Sequence, residues 1–183
     1  MENHFTKISI IRLIILIVIF YLGLYGSIFA KEPDWYLKLK QIKILQSTKQ
    51  DVENLFPSLK GRVSHKFKNS EEFHYIKNQE TLFASYSLGM CSKDTSENEK
   101  YAYDVKNDVL LYLSYTPQKP VKISELKLDL SSFGSYKDGT GLTYYNFDLG
   151  IEYGVFKDKV ESVEIFPTNS MKHLLCKTIE DKN

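Results

Sequence analysis

The chain has 183 residues, 43% of them hydrophobic and 26% charged, an ordinary balance for a globular protein and a poor one for a disordered chain. Lys plus Arg number 24 and Asp plus Glu 23, so the excess of cations that nucleic-acid binding requires is absent. Residues 31–183 suffice for one domain and scarcely for two.

The first predicted element is a hydrophobic helix at the N-terminus. Lys7 and Arg12 precede an uncharged run, Leu13 to Ala30, which Lys31, Glu32, Pro33 and Asp34 end abruptly. A basic start, an apolar middle and a small residue before a polar break describe a secretory signal peptide, with Ala30 at the cleavage position and Ile28 a mediocre fit two residues earlier. The run exceeds the usual apolar core of roughly 7–15 residues. As a helix it would reach about 27 Å, close to the thickness of a bilayer core. An uncleaved membrane anchor at residues 1–30 is therefore the alternative. Both readings export residues 31–183, to the periplasm or medium if the leader is cleaved and to the membrane surface if it is not. The lysines after Lys31 weaken the orientation with the N-terminus inside. The first cysteine is Cys91, so no thiol follows the leader for lipidation.

Trp35 to Leu45 alternates loosely and predicts a first strand with Ile42 and Ile44 inward. Ser47-Thr48-Lys49-Gln50 offers a capping box for a short helix; Val52, Leu55 and Phe56 follow at helical spacing and Pro57 stops it. Strands are predicted over Arg62 to Phe67, Glu72 to Lys77 and Thr81 to Leu88, the last two turning at Asn78-Gln79. Ser92 to Lys100 is polar and reads as a loop. Tyr101 to Val105 and Val109 to Tyr115 form the clearest predicted hairpin, because Asn107 and Asp108 tolerate left-handed backbone. Ile123 to Phe133 fits either a strand or a helical turn. Lys137 to Gly141 is a flexible turn; no Gly-Lys-Ser/Thr ending makes it a phosphate cradle, and its oxygen ligands are too few for calcium. Leu142 to Asp148, Ile151 to Phe156 and Val160 to Phe166 are three further strands, the last pair turning at Lys157-Asp158-Lys159. Thr168 to Leu175 predicts a C-terminal helical turn.

Connections of hairpin length make the expected fold an α+β domain with a mainly antiparallel sheet. Tyr103-x-Val105-x-x-Asp108-Val109 echoes Tyr153-x-Val155-x-x-Asp158-x-Val160. Either the domain holds two related halves, about 35–117 and 121–176, or two hairpins share common strand residues.

Cys91 and Cys176 are the two cysteines. An even count in an exported chain favours a disulfide; two separate buried thiols are the alternative. A bridge would stabilise the fold by roughly 4.5 kcal/mol through restriction of the unfolded chain. Isolated cysteines, and His65, His74 and His173 without ligand spacing, predict no metal site, and no motif calls for a cofactor. No Gly-x-Ser-x-Gly or His-Glu-x-x-His spacing occurs, so no catalytic residue is assigned.

Trp35, Ser47-Thr48-Lys49-Gln50-Asp51-Val52, Tyr86-x-x-Gly89-x-Cys91, Gly150-Ile-x-Tyr153 and Leu174-Leu-Cys176 together resemble an uncharacterised group of exported bacterial proteins. That resemblance covers nearly all of residues 31–183 and implies the Cys91 to Cys176 pairing, but no activity. Thr48-x-x-Asp51-Val52-x-x-Leu55 ahead of a small sheet is more loosely similar to outer-membrane assembly lipoproteins of the SmpA/OmlA type and to β-lactamase-inhibitor-like modules. Those carry a lipobox cysteine and a glycine after the helix, where this chain has Phe56-Pro57. The likeness implies a protein-binding sheet module of the cell envelope.

The leading functional expectation is a non-enzymatic envelope module that binds a protein or a wall component. Tyr144 and Tyr145 are its candidate contact surface, since successive strand positions face opposite sides; ordinary cross-strand packing is the competing account. A small secreted hydrolase, drawing on His65, His74, Glu71, Glu72 and Asp148, is one alternative. An inhibitor of a secreted enzyme is another.

Overall fold

The computed structural model describes residues 31–89, 91 and 102–176; the predicted leader at residues 1–30 and the predicted loop Ser92 to Lys100 lie outside them. The first described element is helical, not a strand: α1 spans Asp34–Leu39. Pro33 stands at its N-cap, and Asp34 pairs with Lys38 one turn later at 2.9 Å, the spacing that supports a helix surface. Tyr36 and Leu39, three residues apart, are its buried side. The alternation that suggested a strand belongs only to Ile42 and Ile44, both buried in the turns that follow.

The second helix, α2, spans Lys49–Leu55. Its capping box lies one residue later than expected. Thr48 Oγ1 accepts from the Asp51 amide at 3.2 Å, and the Asp51 carboxylate accepts from the Thr48 amide at 2.7 Å. A charged acceptor in the first turn outcompetes the neutral Gln50, and the Thr48 amide holds the Asp51 carboxyl below its ordinary pKa. Ser47 instead accepts from the Lys43 amide.

Nine strands of the described residues form one antiparallel sheet: β1 (Lys60–Lys66), β2 (Ser70–Lys77), β3 (Glu80–Ser87), β4 (Leu110–Thr116), β5 (Val121–Lys122), β6 (Gly134–Asp138), β7 (Gly141–Asn146), β8 (Ile151–Phe156) and β9 (Lys159–Ile165). Their order is β1-β2-β3-β4-β9-β8-β7-β6, with β5 beside β9. Two four-stranded meanders, β1 to β4 and β6 to β9, thus meet at their last strands, Leu113 to Tyr115 lying opposite Ile165 to Val163. The turn residues behave as expected: Asn78, Lys157 and Asp158 all have positive φ.

The clearest predicted hairpin does not form. Asp108 does turn the chain, with φ 62°, but Val109 bridges Thr48 and Tyr103 bridges Leu175, while β4 lies between β3 and β9. Long-range partners outbid the local one. The sequence echo therefore pairs residues in unlike places: Tyr103 sits outside the sheet, and Tyr153 sits within β8, opposite Val163. The turn expected over Lys137 to Gly141 shrinks to Gly139 and Thr140, because Lys137 and Asp138 complete β6 and Gly141 opens β7. Ile123 to Phe133 resolves into two 3-10 turns, Ile123–Leu126 and Leu130–Ser132, and a third 3-10 segment, Asn169–Leu174, forms where the C-terminal turn was expected.

The helices cover one face of the sheet. Leu39, Val52 and Phe56 join Phe73, Leu82, Ala84, Leu113, Val163 and Ile165 in the core. Trp35 and Phe56 both lie against the Tyr115 ring, at 5.6 and 5.4 Å between centroids. Tyr36, Tyr75, Tyr86, Tyr115 and Tyr153 serve as core residues with partnered hydroxyls, as buried tyrosines require. Tyr153 donates to Tyr36, Tyr115 donates to Glu80 at 2.6 Å, and Tyr75 meets both Glu53 and Tyr86. Burial pushes the Tyr75 hydroxyl up to about 12.

Candidate functional site: the open face of the sheet

Side chains alternate between the faces of a strand, so the core row dictates what its neighbours do. Phe73, Ala84, Leu113, Ile165 and Ile151 stand opposite one another across five strands and point to the helices. The adjacent positions point the other way. His74, Phe83, Ser114, Glu164, Glu152 and Tyr145 form one continuous row on the opposite face, from β2 to β7. A shorter row, Glu72, Ser85 and Tyr112, runs beside it.

Above these rows lies a cavity of about 820 Å³. Its lining includes Glu72, Phe83, Ser85, Tyr112, Glu152 and Glu164 from the sheet, and Phe147 and Phe166 from the ends of β7 and β9. Ala102, Tyr103, Asn169, Lys172 and Leu175 complete it. A cleft of this volume lies within the usual range of ligand sites.

The disulfide belongs to this groove. Cys91 and Cys176 are bonded, with Cα atoms 5.5 Å apart. The Cys176 amide donates to the Ala102 carbonyl at 2.9 Å, and the Asp104 amide to the Leu174 carbonyl at 2.8 Å. The Cys91 amide donates to the Asp104 carboxylate. The bridge thus sits where the segments that supply Tyr103 and Leu175 to the lining are hydrogen-bonded to each other, with Cys91 held against Asp104. Disulfides persist where the surroundings are oxidising.

Glu152 and Glu164 face each other directly across β8 and β9. Desolvation, and then the neighbouring Glu164 charge, raise the Glu152 carboxyl above its ordinary 4.5, against a weak hydrogen bond from Tyr136. Tyr112 donates to Glu164, and burial together with that carboxylate pushes the Tyr112 hydroxyl up. Neither glutamate forms an ion pair with a described residue. Because the folded chain binds the Glu152 proton more tightly than the unfolded chain does, this stabilising contribution is complete below pH 4.5 and is lost as pH rises through the raised value. Glu152→Gln is expected to flatten that part of the stability curve, as read by urea unfolding between about pH 4 and about pH 7. An unchanged slope would refute the assignment.

The residues singled out from sequence separate. Tyr145 lies on the open face, its ring 4.9 Å from Phe147 and 5.9 Å from Tyr136, whereas Tyr144 is partly buried against the core. Glu72 lines the cavity; Glu71 points away from it and pairs with Lys66 at 3.7 Å. His65 stacks on Phe67 and His74 meets the edge of Phe83, and neither imidazole bonds a carboxylate among the described residues. Asp148 is a turn residue that accepts from Asn169, separated from β2 by four intervening strands. The acid–base groups proposed for hydrolysis are therefore not assembled. Tyr112, Phe147, Glu152, Glu164 and Phe166 escaped the sequence reading. Alternation within β8 and β9 is the signal that could have turned Glu152 and Glu164 outward, but nothing local says that the two strands place them opposite each other.

Among the described residues, no group of His, Cys, Asp and Glu could hold a metal ion, and no helix is long and apolar enough to cross a membrane. Comparison with protein-family models, curated proteins and solved structures finds no match to the chain.

Proposed function

We propose that the chain is an exported, non-enzymatic binding module of the cell envelope, whose open sheet face receives a protein partner or a wall component. One observation carries this reading: helices cover one face of the sheet, while the other holds a cavity of about 820 Å³ lined by aromatic rings and carboxylates. An uncovered sheet face of that character is how a binding surface differs from a merely solvated one. The disulfide supports an extracytoplasmic address, and the hydrophobic run at residues 13–30 supports export. Helices on one side and a free sheet on the other also suit the likeness to helix-plus-sheet envelope modules.

The test is site-specific photo-crosslinking in cells that produce the full-length chain. A photoreactive residue at Ser85, on the cavity lining, should yield a discrete adduct. The same residue at Gln50, on the exposed side of α2, should not, and Ser85→Trp in place of the crosslinker should abolish competition for the partner. Equal adducts from Ser85 and Gln50, or none from Ser85, would defeat the proposal.

A further inference from the structure

We infer that the occupant of the groove is a cationic polypeptide segment, with a lysine or arginine side chain set between Glu152 and Glu164 and apolar neighbours against Phe83, Phe147 and Phe166. The inference rests on the open face being the binding face, and adds the chemistry of what binds there.

Charge complementarity selects the occupant. Like charges directly opposite in a sheet destabilise it, yet Glu152 and Glu164 are so placed, inside a partly desolvated groove. No described cation pairs with either of them; the cavity lining offers Lys172 alone, against the carboxylates of Glu72, Glu152 and Glu164. A protein-bound cation placed between the two would relieve the repulsion, whereas a neutral glycan would leave it intact and an acidic peptide would deepen it.

The walls decide what kind of cation. Phe83, Tyr112, Phe147 and Phe166 line the same cavity as the carboxylates, and aromatic rings attract organic cations through their negative faces. A bare metal ion would need more oxygen ligands than two monodentate carboxylates supply. Phe147 is 52% exposed and its ring lies 5.9 Å from Phe166, so apolar contact continues beyond the carboxylates. That combination fits an extended chain whose groove-facing side chains, every second residue, are basic and apolar in turn, not a small amine.

The test is calorimetric titration of the full-length protein, in neutral detergent, with three probes: the capped peptide Phe-Ser-Lys-Ser-Phe, which sets its lysine and phenylalanines on one side when extended, the capped peptide Phe-Ser-Glu-Ser-Phe, and chitohexaose. The basic peptide should bind and the other two should not. Glu152→Gln with Glu164→Gln should weaken that binding roughly tenfold or more, and because these changes remove a repulsion they should not impair folding. Lys172→Glu adds a carboxylate to the groove and should tighten the same binding on the order of threefold. Binding of the basic peptide that ignores all of these substitutions overturns the inference. Groove binding of chitohexaose or of the acidic peptide, lost in Ser85→Trp, overturns it while the open face stands as a binding face. If no probe binds, the cationic occupant is refuted, and the Ser85 crosslink then shows whether the face itself survives.

Discussion

Cys91→Ser with Cys176→Ser should lower the stability of the protein by about 4 kcal/mol and its melting temperature by roughly 10 °C. The two cysteines are 85 residues apart in sequence, so the bridge removes a large share of the freedom of the unfolded chain. The loss should also be uneven. The Asp104 amide is held by Leu174, two residues before Cys176, and the Asp104 carboxylate by the Cys91 amide, so with the bridge gone the Asp104 amide should lose nearly all protection from hydrogen exchange. Amides of β4 and β9, at the centre of the sheet, should exchange only through global unfolding. Since the segments around Asp104 and Leu174 carry Tyr103, Lys172 and Leu175 to the groove, partner crosslinking from Ser85 should fall as well. Equal protection at Asp104 in the bridged and unbridged proteins would show that the disulfide does not fasten the groove wall.

Gly150→Ala should cost about 2–4 kcal/mol. Gly150 has φ +64°, a conformation that costs an L side chain roughly 1–2 kcal/mol. A Cβ at this position would also run into the Phe166 carbonyl oxygen, and backbone cannot rotate aside as a side chain end can. The Gly150 carbonyl accepts from the Phe166 amide at 2.9 Å, immediately before Ile151 pairs with Ile165. Moving it would disturb the register that sets Glu152 against Glu164. Gly139 provides the control. It too has positive φ, +58°, but nothing lies within 4 Å of a Cβ there, so Gly139→Ala should lose only the conformational part, about 1 kcal/mol. Chemical denaturation of both variants measures the difference; equal losses would mean that the contact with Phe166 does not matter.

Local signals read well wherever local physics governed. Asn78 and Asp158 marked their turns because Asn and Asp are among the few residues that accept positive φ. Strands β2, β3, β8 and β9 were legible from β-branched and aromatic residues in alternation. The errors fall where a distant partner decided. Trp35 to Leu39 has strand-like composition but takes a helix, because Tyr36 and Leu39 must both reach the core from one side. Tyr103 has a turn and a plausible neighbour strand close by, yet bridges Leu175. Strand β6 is almost wholly exposed at an edge of the sheet, so it carries no apolar alternation to read.

From the sequence alone came an antiparallel α+β domain, the positions of most turns, a pair of cysteines able to bond, and a charge balance unsuited to nucleic acid. Only the tertiary structure decided which strands lie side by side, and therefore that β4 meets β9, that Glu152 faces Glu164, and that the disulfide closes one wall of a groove. Alternation tells each strand which residues turn outward, but register is set between strands far apart in the chain, by the packing of Leu113, Val163 and Ile165 beneath them.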